Sequence, residues 1–399
     1  MSNTYFNISD KLRLYEFDGM LDQYGDAAAA YSLRKLRNGY TGNAIRVRRS
    51  SDDAERDMGF YDNELDTVAL LNWVNTDYIK AQWDFSVGGT NLSTLNLPQS
   101  NGESVAGENA SHYCYGGPTI PGQTFTVAGR YYIPSTNVSC NAIRISGGSS
   151  EFEFFNTLDQ WAEFEVTTSA TLTYAIFRAA DGTNTNIGGD GDVFYLKDVV
   201  ITQNTSDGLV QTWYDQSANA NHAVQNTDAA QPKIVDAGTL VTGGGKPTIL
   251  YDDVDDVLEL TSEVVTTDAF RHFIVCDNDA DGRVYDSAGQ PDNLLIQSYR
   301  YILRVNNTAI TINSNTGRDK NIIEAGRDSS DAVDFVVNDS TLSSGTVISG
   351  QSKLAQIGSS TSHYGGTIYE VITYNSDATI SSLDISGIRG NINTQYSIY

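Results

Sequence analysis

TIYEVITYN, residues 367–375, consists almost wholly of β-branched and aromatic residues, the side chains that suit a pleated surface, and it reads as a strand. Working outward, NAIRVRR (43–49), TFTVAGRYYI (124–133), AEFEVTT (162–168), LTYAIFRA (172–179), DVFYLKDVVIT (192–202), HFIVCD (272–277), YILRVN (301–306) and AVDFVVN (332–338) share that character and are separated by Gly, Asn, Asp and Ser. Many alternate apolar and polar residues, which predicts one face on a core and one in water. The best helical stretch is YGDAAAAYSLRKLRN (24–38), with Tyr31, Leu33 and Leu36 apolar and three basic residues near its end. It is expected to supply one or two turns. With 35 glycines, 7 prolines and many short strands, the expected fold class is all-β and the architecture a β-sandwich.

At 399 residues the chain has room for two domains with cores of their own. DTVALLNWVNTDYIKAQWDF (66–85) leaves the opening pattern, and ITQNTSDGLVQTWYDQS (201–217) returns to it. The region between them has its own strands, two of the cysteines and its own aromatic set. This predicts a compact sandwich inserted into a loop of a larger, discontinuous one, an arrangement tolerated where the host loop's ends are close and exposed. The expected division is an attachment segment over 1–25, a host sandwich over 26–78 and 203–399, and an insert over 79–202.

Fifty acidic against 25 basic residues give a formal charge of −25, which repels phosphate backbones and anionic bilayers and argues against nucleic acid and membranes as partners. The one concentration of positive charge is Arg34, Lys35, Arg37, Arg46, Arg48 and Arg49. It is expected to pair internally with SDDAERD (51–57), with a partner subunit's acidic surface as the functional alternative. Cys114, Cys140 and Cys276 lack the spacing of a zinc site, and Cys114 with Cys140 is the only plausible disulfide pair. No apolar run is long enough to span a bilayer, and MSNTYFNISDKLRLYEF lacks the pattern of a signal peptide, so neither a leader nor an anchor is expected.

Three stretches in order carry a family resemblance. AYSLRKLRNGYTGNAIRVRRSSDDAERDMGF (30–60) followed by ELDTVALLNWV (64–74) resembles the opening of the catalytic domain of fungal α-L-arabinofuranosidases B. WYDQSANANHAVQ (213–225) is similar to that family's Tyr-Asp-Gln-Ser-Gly-x-Gly-Asn turn, with Ala218 and Ala220 where glycine is usual. AQIGSSTSHYGGTIYEVITYNSDAT (355–379) resembles its closing hairpin. YDDVDDVLEL (251–260) followed by that hairpin is also the pattern of concanavalin A-like, laminin-G-type sandwiches. The resemblance implies the scaffold more than the chemistry. Retaining glycosidases place two carboxylates about 5 Å apart across the scissile bond. The vicinal cysteine pair that precedes the family's nucleophile is missing, Asn293 to Arg318 contains no Asp or Glu, and the turn SSTSHYGG (359–366), where the acid/base belongs, has no carboxylate.

The Leu-Arg-Lys-Leu-Arg opening together with the Trp-Tyr-Asp-Gln-Ser turn also resembles structural proteins of tailed bacteriophages, often marine ones. The insert resembles jelly-roll carbohydrate-binding modules through GRYYIPS, DQWAEFEV and GDVFYLKDVVIT.

The residues offer several sites, each with a structural alternative. Trp213, Tyr214, Asp215, Gln216, Asn219, Asn221 and His222 could form a sugar site, because aromatic faces stack on pyranose C–H surfaces while Asp and Asn pair with hydroxyls. Alternatively Trp213 and Tyr214 are core residues at a strand end, and Asp215 and the asparagines close turns. In the insert, Tyr113, Tyr115, Tyr131, Tyr132 and Trp161 are candidates for a binding face, some being core by alternation. Asp277, Asp279 and Asp281 of DNDADG (277–282) alternate as in a calcium loop, although Ala288 stands where the closing Glu belongs. Ca2+ is thus the one cofactor the sequence offers, and an acidic surface turn is the alternative. Asp252, Asp253, Asp255 and Asp256 are expected to cap a strand. His112, His222, His272 and His363 are scattered, so no Ser-His-Asp constellation is expected.

The leading expectation is a virion surface protein, a tail fibre or capsid decoration component, without enzymatic activity, that touches host surface glycans. Its partners would be other virion proteins and copies of itself, a trimer if a fibre, assembled in the host cytoplasm and released by lysis. The rivals are a glycoside hydrolase of arabinofuranosidase type, using carboxylates between Asp277 and Asp292 with Glu370, and a secreted lectin.

Overall fold

A computed structural model describes residues 19–83, 113–118, 122–146, 153–169, 174–181, 183, 194–266, 269–287, 292–314, 319–375 and 382–399. Most of the expected attachment segment lies outside the described residues. The chain is all-β. The strand Gly365–Tyr374 lies at the centre of one sheet, antiparallel to Phe270–Asn278 on one side and to Ala29–Ser32 and Ile249–Asp252 on the other. Beyond Phe270–Asn278 follow Asn321–Arg327, Ala332–Val337 and Ser340–Val347. The facing sheet runs through Glu55–Met58, Ile45–Arg49, Gly208–Trp213 and Ala223–Val224 to Val257–Thr266. It continues through Ser352–Gly358, Gly282–Asp286, Asn293–Gln297, Arg300–Val305 and Thr308–Asn313. Lys233–Asp236 pairs with both Gly208–Trp213 and Ile249–Asp252, joining the two sheets along one side. Ile45, Trp213, Ile274, Leu303, Ile323 and Val371 are among the residues that fill the space between.

The alternation that predicted one wet face does not hold for the central strand. Ile368 and Val371 belong to the inter-sheet core, whereas Tyr369, Ile372 and Tyr374 join Phe273 and Val275 in a second cluster outside the sheet. That outer face is covered by the helices Met20–Gln23 and Ser382–Tyr396, the latter through Ile388, Ile392 and Tyr396. A strand covered on both faces carries apolar residues at consecutive positions.

The helix expected over 24–38 does not form. Ala29–Ser32 is instead a fully buried strand paired with Glu370–Thr373. Small side chains permit that close fit, and the tertiary pairing outweighs alanine's helix propensity. A helix does occur at Thr67–Val74, where the Asp66 carboxylate accepts the Ala69 N–H at 2.9 Å and so caps the first turn.

Between Tyr78 and Gln203 the described strands form two four-stranded sheets. One runs Glu153–Phe155, Ala142–Ser146, Tyr174–Ala180, Tyr113–Pro118, and the other Ala162–Ser169, Thr124–Tyr132, Tyr195–Gln203, Tyr78–Trp83. Phe125, Val127, Ile143, Phe164, Phe177 and Ile201 belong to a core cluster separate from those of the larger sandwich. The first and last strands of this region pair with each other, Tyr78 opposite Gln203. Cys140 is buried and its thiol donates to the Ala142 carbonyl at 3.6 Å; the Cys114 side chain lies outside the described residues. The Cys276 thiol, buried in the larger core, is pushed up to about 12 by that burial.

The basic cluster is mostly spent within the molecule. The turn between Ile45–Arg49 and Glu55–Met58 sets Arg46 against Glu55 (2.8 Å) and Asp57 (3.6 Å), Arg48 against Asp53 (2.6 Å) and Arg49 against Asp52 (2.6 Å). Arg34 leaves the group and pairs with Glu370 at 2.8 Å.

Candidate carbohydrate-binding surfaces

The structure splits the segment Trp213–His222 between interior and surface. Trp213 is the last residue of the strand Gly208–Trp213 and is fully buried, its ring 5.9 Å from that of Tyr31. Asp215 turns back inward, and its carboxylate accepts the N–H groups of Ala30, Ser217 and Asn221, each at 2.8 Å, and the Ser217 hydroxyl at 2.7 Å. The Gln216 amide oxygen accepts Leu36 N–H at 2.8 Å while its nitrogen donates to the carbonyls of Ser32 (3.0 Å) and Arg34 (2.8 Å). The Asn221 side chain ties to Thr261 (2.9 Å) and to both the N–H (2.8 Å) and carbonyl (2.6 Å) of Ser262.

Trp213, Asp215, Gln216 and Asn221 are therefore corrected from lip residues to a staple. The polar groups of Asp215, Gln216 and Asn221 are consumed by other parts of the chain, and the Trp213 ring is fully buried with its Nε1 unpartnered, so none of the four presents a face to a sugar. Tyr214, Asn219 and His222 lie at the surface side of the same turn. The Tyr214 hydroxyl donates to Asp57 at 2.7 Å, and its ring meets the His222 ring edge-on with centroids 4.9 Å apart. The His222 Nδ1 accepts the Asp215 N–H at 3.1 Å, and burial lowers the proton affinity of the ring. Asn219 is exposed, although its amide nitrogen reaches the carbonyls of Ala27 (3.3 Å) and Ala28 (3.0 Å).

In the insert, alternation along Thr124–Tyr132 sends Tyr131 into the core and Tyr132 to the outer face. Tyr195 stands directly opposite Tyr132 on the neighbouring strand, and Trp161 lies just before Ala162–Ser169 on the other side. The three rings form a row across the sheet, with centroids 5.8 Å apart for Tyr132 and Trp161 and 6.2 Å for Tyr132 and Tyr195. Trp161 is 39% exposed. Beside the row lies a groove of about 510 Å3, lined by Ala128, Gly129, Arg130, Phe155, Glu163, Phe164, Glu165 and Asp198. Tyr195 was not among the sequence candidates. Its signal was present, since Phe194 and Leu196 flank it and both belong to the core. The side chains of Tyr113 and Tyr115 lie outside the described residues.

Of the carboxylates proposed for hydrolysis, Glu370 and Asp286 are engaged by other parts of the chain, whereas Asp292 keeps one buried oxygen without a partner. Glu370 is fully buried and takes both a bidentate contact from Arg34 (2.8 and 2.9 Å) and the hydroxyls of Ser32 (2.7 Å) and Tyr396 (3.1 Å). A carboxylate held so cannot trade protons with a glycosidic oxygen. Asp286 is likewise buried among Arg283 (2.8 Å), Ser359 (2.7 Å) and Ser287 N–H (2.9 Å). The calcium-loop reading of Asp277, Asp279 and Asp281 is also corrected. Asp277 lies within the strand Phe270–Asn278 and accepts the hydroxyls of Thr367 (2.8 Å) and Tyr369 (3.0 Å), whereas Asp281 accepts from Gln297 (3.2 Å) and Ser298 (3.3 Å). Asp277 is thus held inside the strand while Asp281 stands in the turn beyond it with partners of its own, and the three carboxylates are not among those that gather within ligand distance among the described residues.

Among the described residues the carboxylates that do gather are Asp252, Asp255 and Asp256. Asp252 accepts the Val254 N–H at 2.8 Å, and Asp256 accepts the Asp252 N–H at 2.9 Å, closing the turn after Ile249–Asp252. Burial, and then the neighbouring Asp252, raise the Asp256 carboxyl to about 7.

Among solved structures the chain is similar in fold to arabinofuranosidases. It matches an arabinofuranosidase complexed with arabinofuranosyl-α-1,2-xylobiose at 13% identity and TM-score 0.48, covering 94% of this chain and 64% of that one. A GH54 α-L-arabinofuranosidase soaked with a cyclic sulfate inhibitor matches at 13% identity and TM-score 0.47, covering 92% and 62%. A tandem of CBM22 domains from Paenibacillus barcinonensis matches at 8% identity and TM-score 0.20, covering 78% and 94%. The chain thus spans 62 to 64% of the length of these arabinofuranosidase chains. No family model and no curated protein matches the sequence.

Proposed function

We propose that the chain is a non-catalytic carbohydrate-binding protein of a bacteriophage surface, a tail-fibre or capsid-decoration component that meets host glycans through its insert. The observation that carries the binding part is the row Trp161–Tyr132–Tyr195 on the outer face of one sheet. Partly exposed aromatic rings cost apolar hydration unless a ligand covers them, and the C–H faces of successive sugar rings can stack along a row of this kind. Glu163, Glu165 and Asp198 beside it favour a neutral glycan over an acidic one. The virion placement is supported by the sequence resemblance and is compatible with the charge of −25.

Binding of the full chain to an array of neutral oligosaccharides tests the first part. Trp161→Ala is expected to weaken the interaction by roughly 1–2 kcal/mol or more, as the loss of one stacked ring should. A blank array for the wild type would overturn glycan binding, and detection of the chain in purified particles tests the virion assignment. Release of arabinose from an aryl arabinofuranoside, abolished by replacing a single Asp or Glu, would instead establish the hydrolase.

A further inference from the structure

Lys35 and Arg37 are the members of the basic cluster without an ion pair among the described residues, and of the two it is Arg37 whose Nε is buried without a hydrogen-bond partner. In a chain with 50 acidic residues an uncompensated guanidinium is conspicuous. The Gln216 clamp on Leu36 fixes the backbone beside it, and the Tyr40 N–H donates to the Arg37 carbonyl at 3.1 Å. The Tyr40 hydroxyl then donates to the carbonyl of Asn43 at 2.9 Å, one residue from Ala44, whose carbonyl accepts the Tyr214 N–H at 3.0 Å. Tyr40 lies within electrostatic reach of both Arg37 and Tyr214, and the Tyr214 ring meets that of His222, so the four share one part of the larger sandwich's surface. None of the four is fully buried.

We propose that Arg37, Tyr40, Tyr214 and His222 form a second saccharide site, independent of the aromatic row on the insert and selective for a sugar that bears a carboxylate. A guanidinium presents a planar fork of donors that matches a carboxylate, and the pair is charge-assisted. The edge-on Tyr214 and His222 rings supply the apolar wall for the sugar ring. His222 adds no charge near neutrality, because burial disfavours its protonation. The carboxylates of this region have partners of their own: Asp215, the one that acts on Tyr40 and His222, is held by three N–H groups and the Ser217 hydroxyl. Asp57 is held by the Tyr214 hydroxyl (2.7 Å) and Arg46 (3.6 Å), Glu55 by Arg46 (2.8 Å), and Asp22 by the N–H groups of Gly19 (2.9 Å) and Asn38 (2.6 Å). The overall charge of −25 repels a polyanion at long range, so the site suits an isolated uronic acid within a neutral glycan.

Saturation-transfer NMR on the full chain, with the Trp161→Ala change to silence the insert, compares methyl β-glucuronide with methyl β-glucoside, which differ at one carbon. The glucuronide is expected to bind roughly tenfold more tightly. Arg37→Gln should bring the two sugars level, and Arg37→Lys should restore part of the preference. Equal affinities in the parent, no binding of either sugar, or a preference that survives Arg37→Gln would each overturn the proposal. Because the comparison of the two sugars needs only the parent chain, poor folding of an Arg37 variant leaves the test decisive. Failure of the insert's own site appears separately, as an unchanged response to neutral oligosaccharides when Trp161 is replaced.

Discussion

Asp215 gathers three N–H groups and a hydroxyl onto one buried carboxylate, and its neighbour Ala220 bears the conformational consequence of the tight turn that results. Ala220 has φ of 51°, the left-handed region in which a Cβ crowds the following carbonyl. Ala220→Gly is expected to raise the stability of the larger sandwich by about 0.5–1 kcal/mol in urea unfolding, the release of strain exceeding glycine's entropy in the unfolded chain. A loss of stability would show that the Ala220 methyl makes a contact worth more than the strain. Asp256 is the residue whose ionisation should be visible in stability. Its folded carboxyl titrates at about 7 against about 3.9 in an unfolded chain. Between those values the folded state holds a proton that the unfolded state has lost, so stability falls as pH rises through the window, and the penalty is complete above the folded value. Asp256→Asn keeps an oxygen for the Asp252 N–H and cannot ionise. The variant should match the parent near about pH 4 and exceed it by about 2–4 kcal/mol at about pH 8, read by hydrogen exchange in Ile249–Asp252 and Val257–Thr266. Parallel pH profiles for the two proteins would remove Asp256 as the cause.

At the scale of elements, what the sequence disclosed depended on how local the deciding physics was. Strands such as Ile45–Arg49, Ala332–Val337 and Thr124–Tyr132 lie within the stretches read from composition alone, because residue type and alternation act within a few positions. Ala29–Ser32 was misread because a distant partner decides it: the strand pairs across more than 300 residues with Glu370–Thr373. The helix Ser382–Tyr396 escaped notice for a different reason. Its two internal glycines and its serines and asparagines lower intrinsic propensity, yet Ile385, Ile388, Ile392 and Tyr396 recur at helical spacing, so the signal was available. The docking of this helix is polar as well as apolar. Tyr396 reaches Glu370, Arg389 reaches Glu324 at 2.6 Å, and Lys320 donates to the Tyr396 carbonyl at 2.8 Å. The candidate surfaces divide similarly. Trp161 and Tyr132 were legible as a pattern, whereas the inward rotation of Asp215 and Gln216 depends on which backbone groups from residues 30 to 36 arrive beside them.

At the scale of the whole molecule, the separate core of the region between Tyr78 and Gln203 leads to a proposal about domain boundaries that can be tested by excision. Tyr78 and Gln203 are antiparallel partners, and Asn204 donates to Asp77 at 3.2 Å just outside them. Residues opposed in this way lie about 5 Å apart, a distance that a two-residue Asn-Gly turn closes without straining the flanking strands. Among the described residues the larger core clusters draw none from 79–202. Among the described residues a short polar patch bridges the seam: Gln123 donates to Asp207 at 2.9 Å and accepts from Thr205 at 3.1 Å, Thr124 N–H donates to Thr205 at 2.8 Å and its carbonyl accepts Asn204 N–H at 2.8 Å, and Thr126 donates to Asn204 at 2.8 Å. Replacing 79–202 by Asn-Gly is therefore expected to leave the larger sandwich folded, with hydrogen-exchange protection of Gly365–Tyr374 close to that of the full chain. The same excision should abolish binding of neutral oligosaccharides and leave the preference for methyl β-glucuronide intact, since Arg37, Tyr40, Tyr214 and His222 all remain. Loss of protection in Gly365–Tyr374 would mean that the smaller sandwich stabilises the larger one and that the two do not fold as independent units.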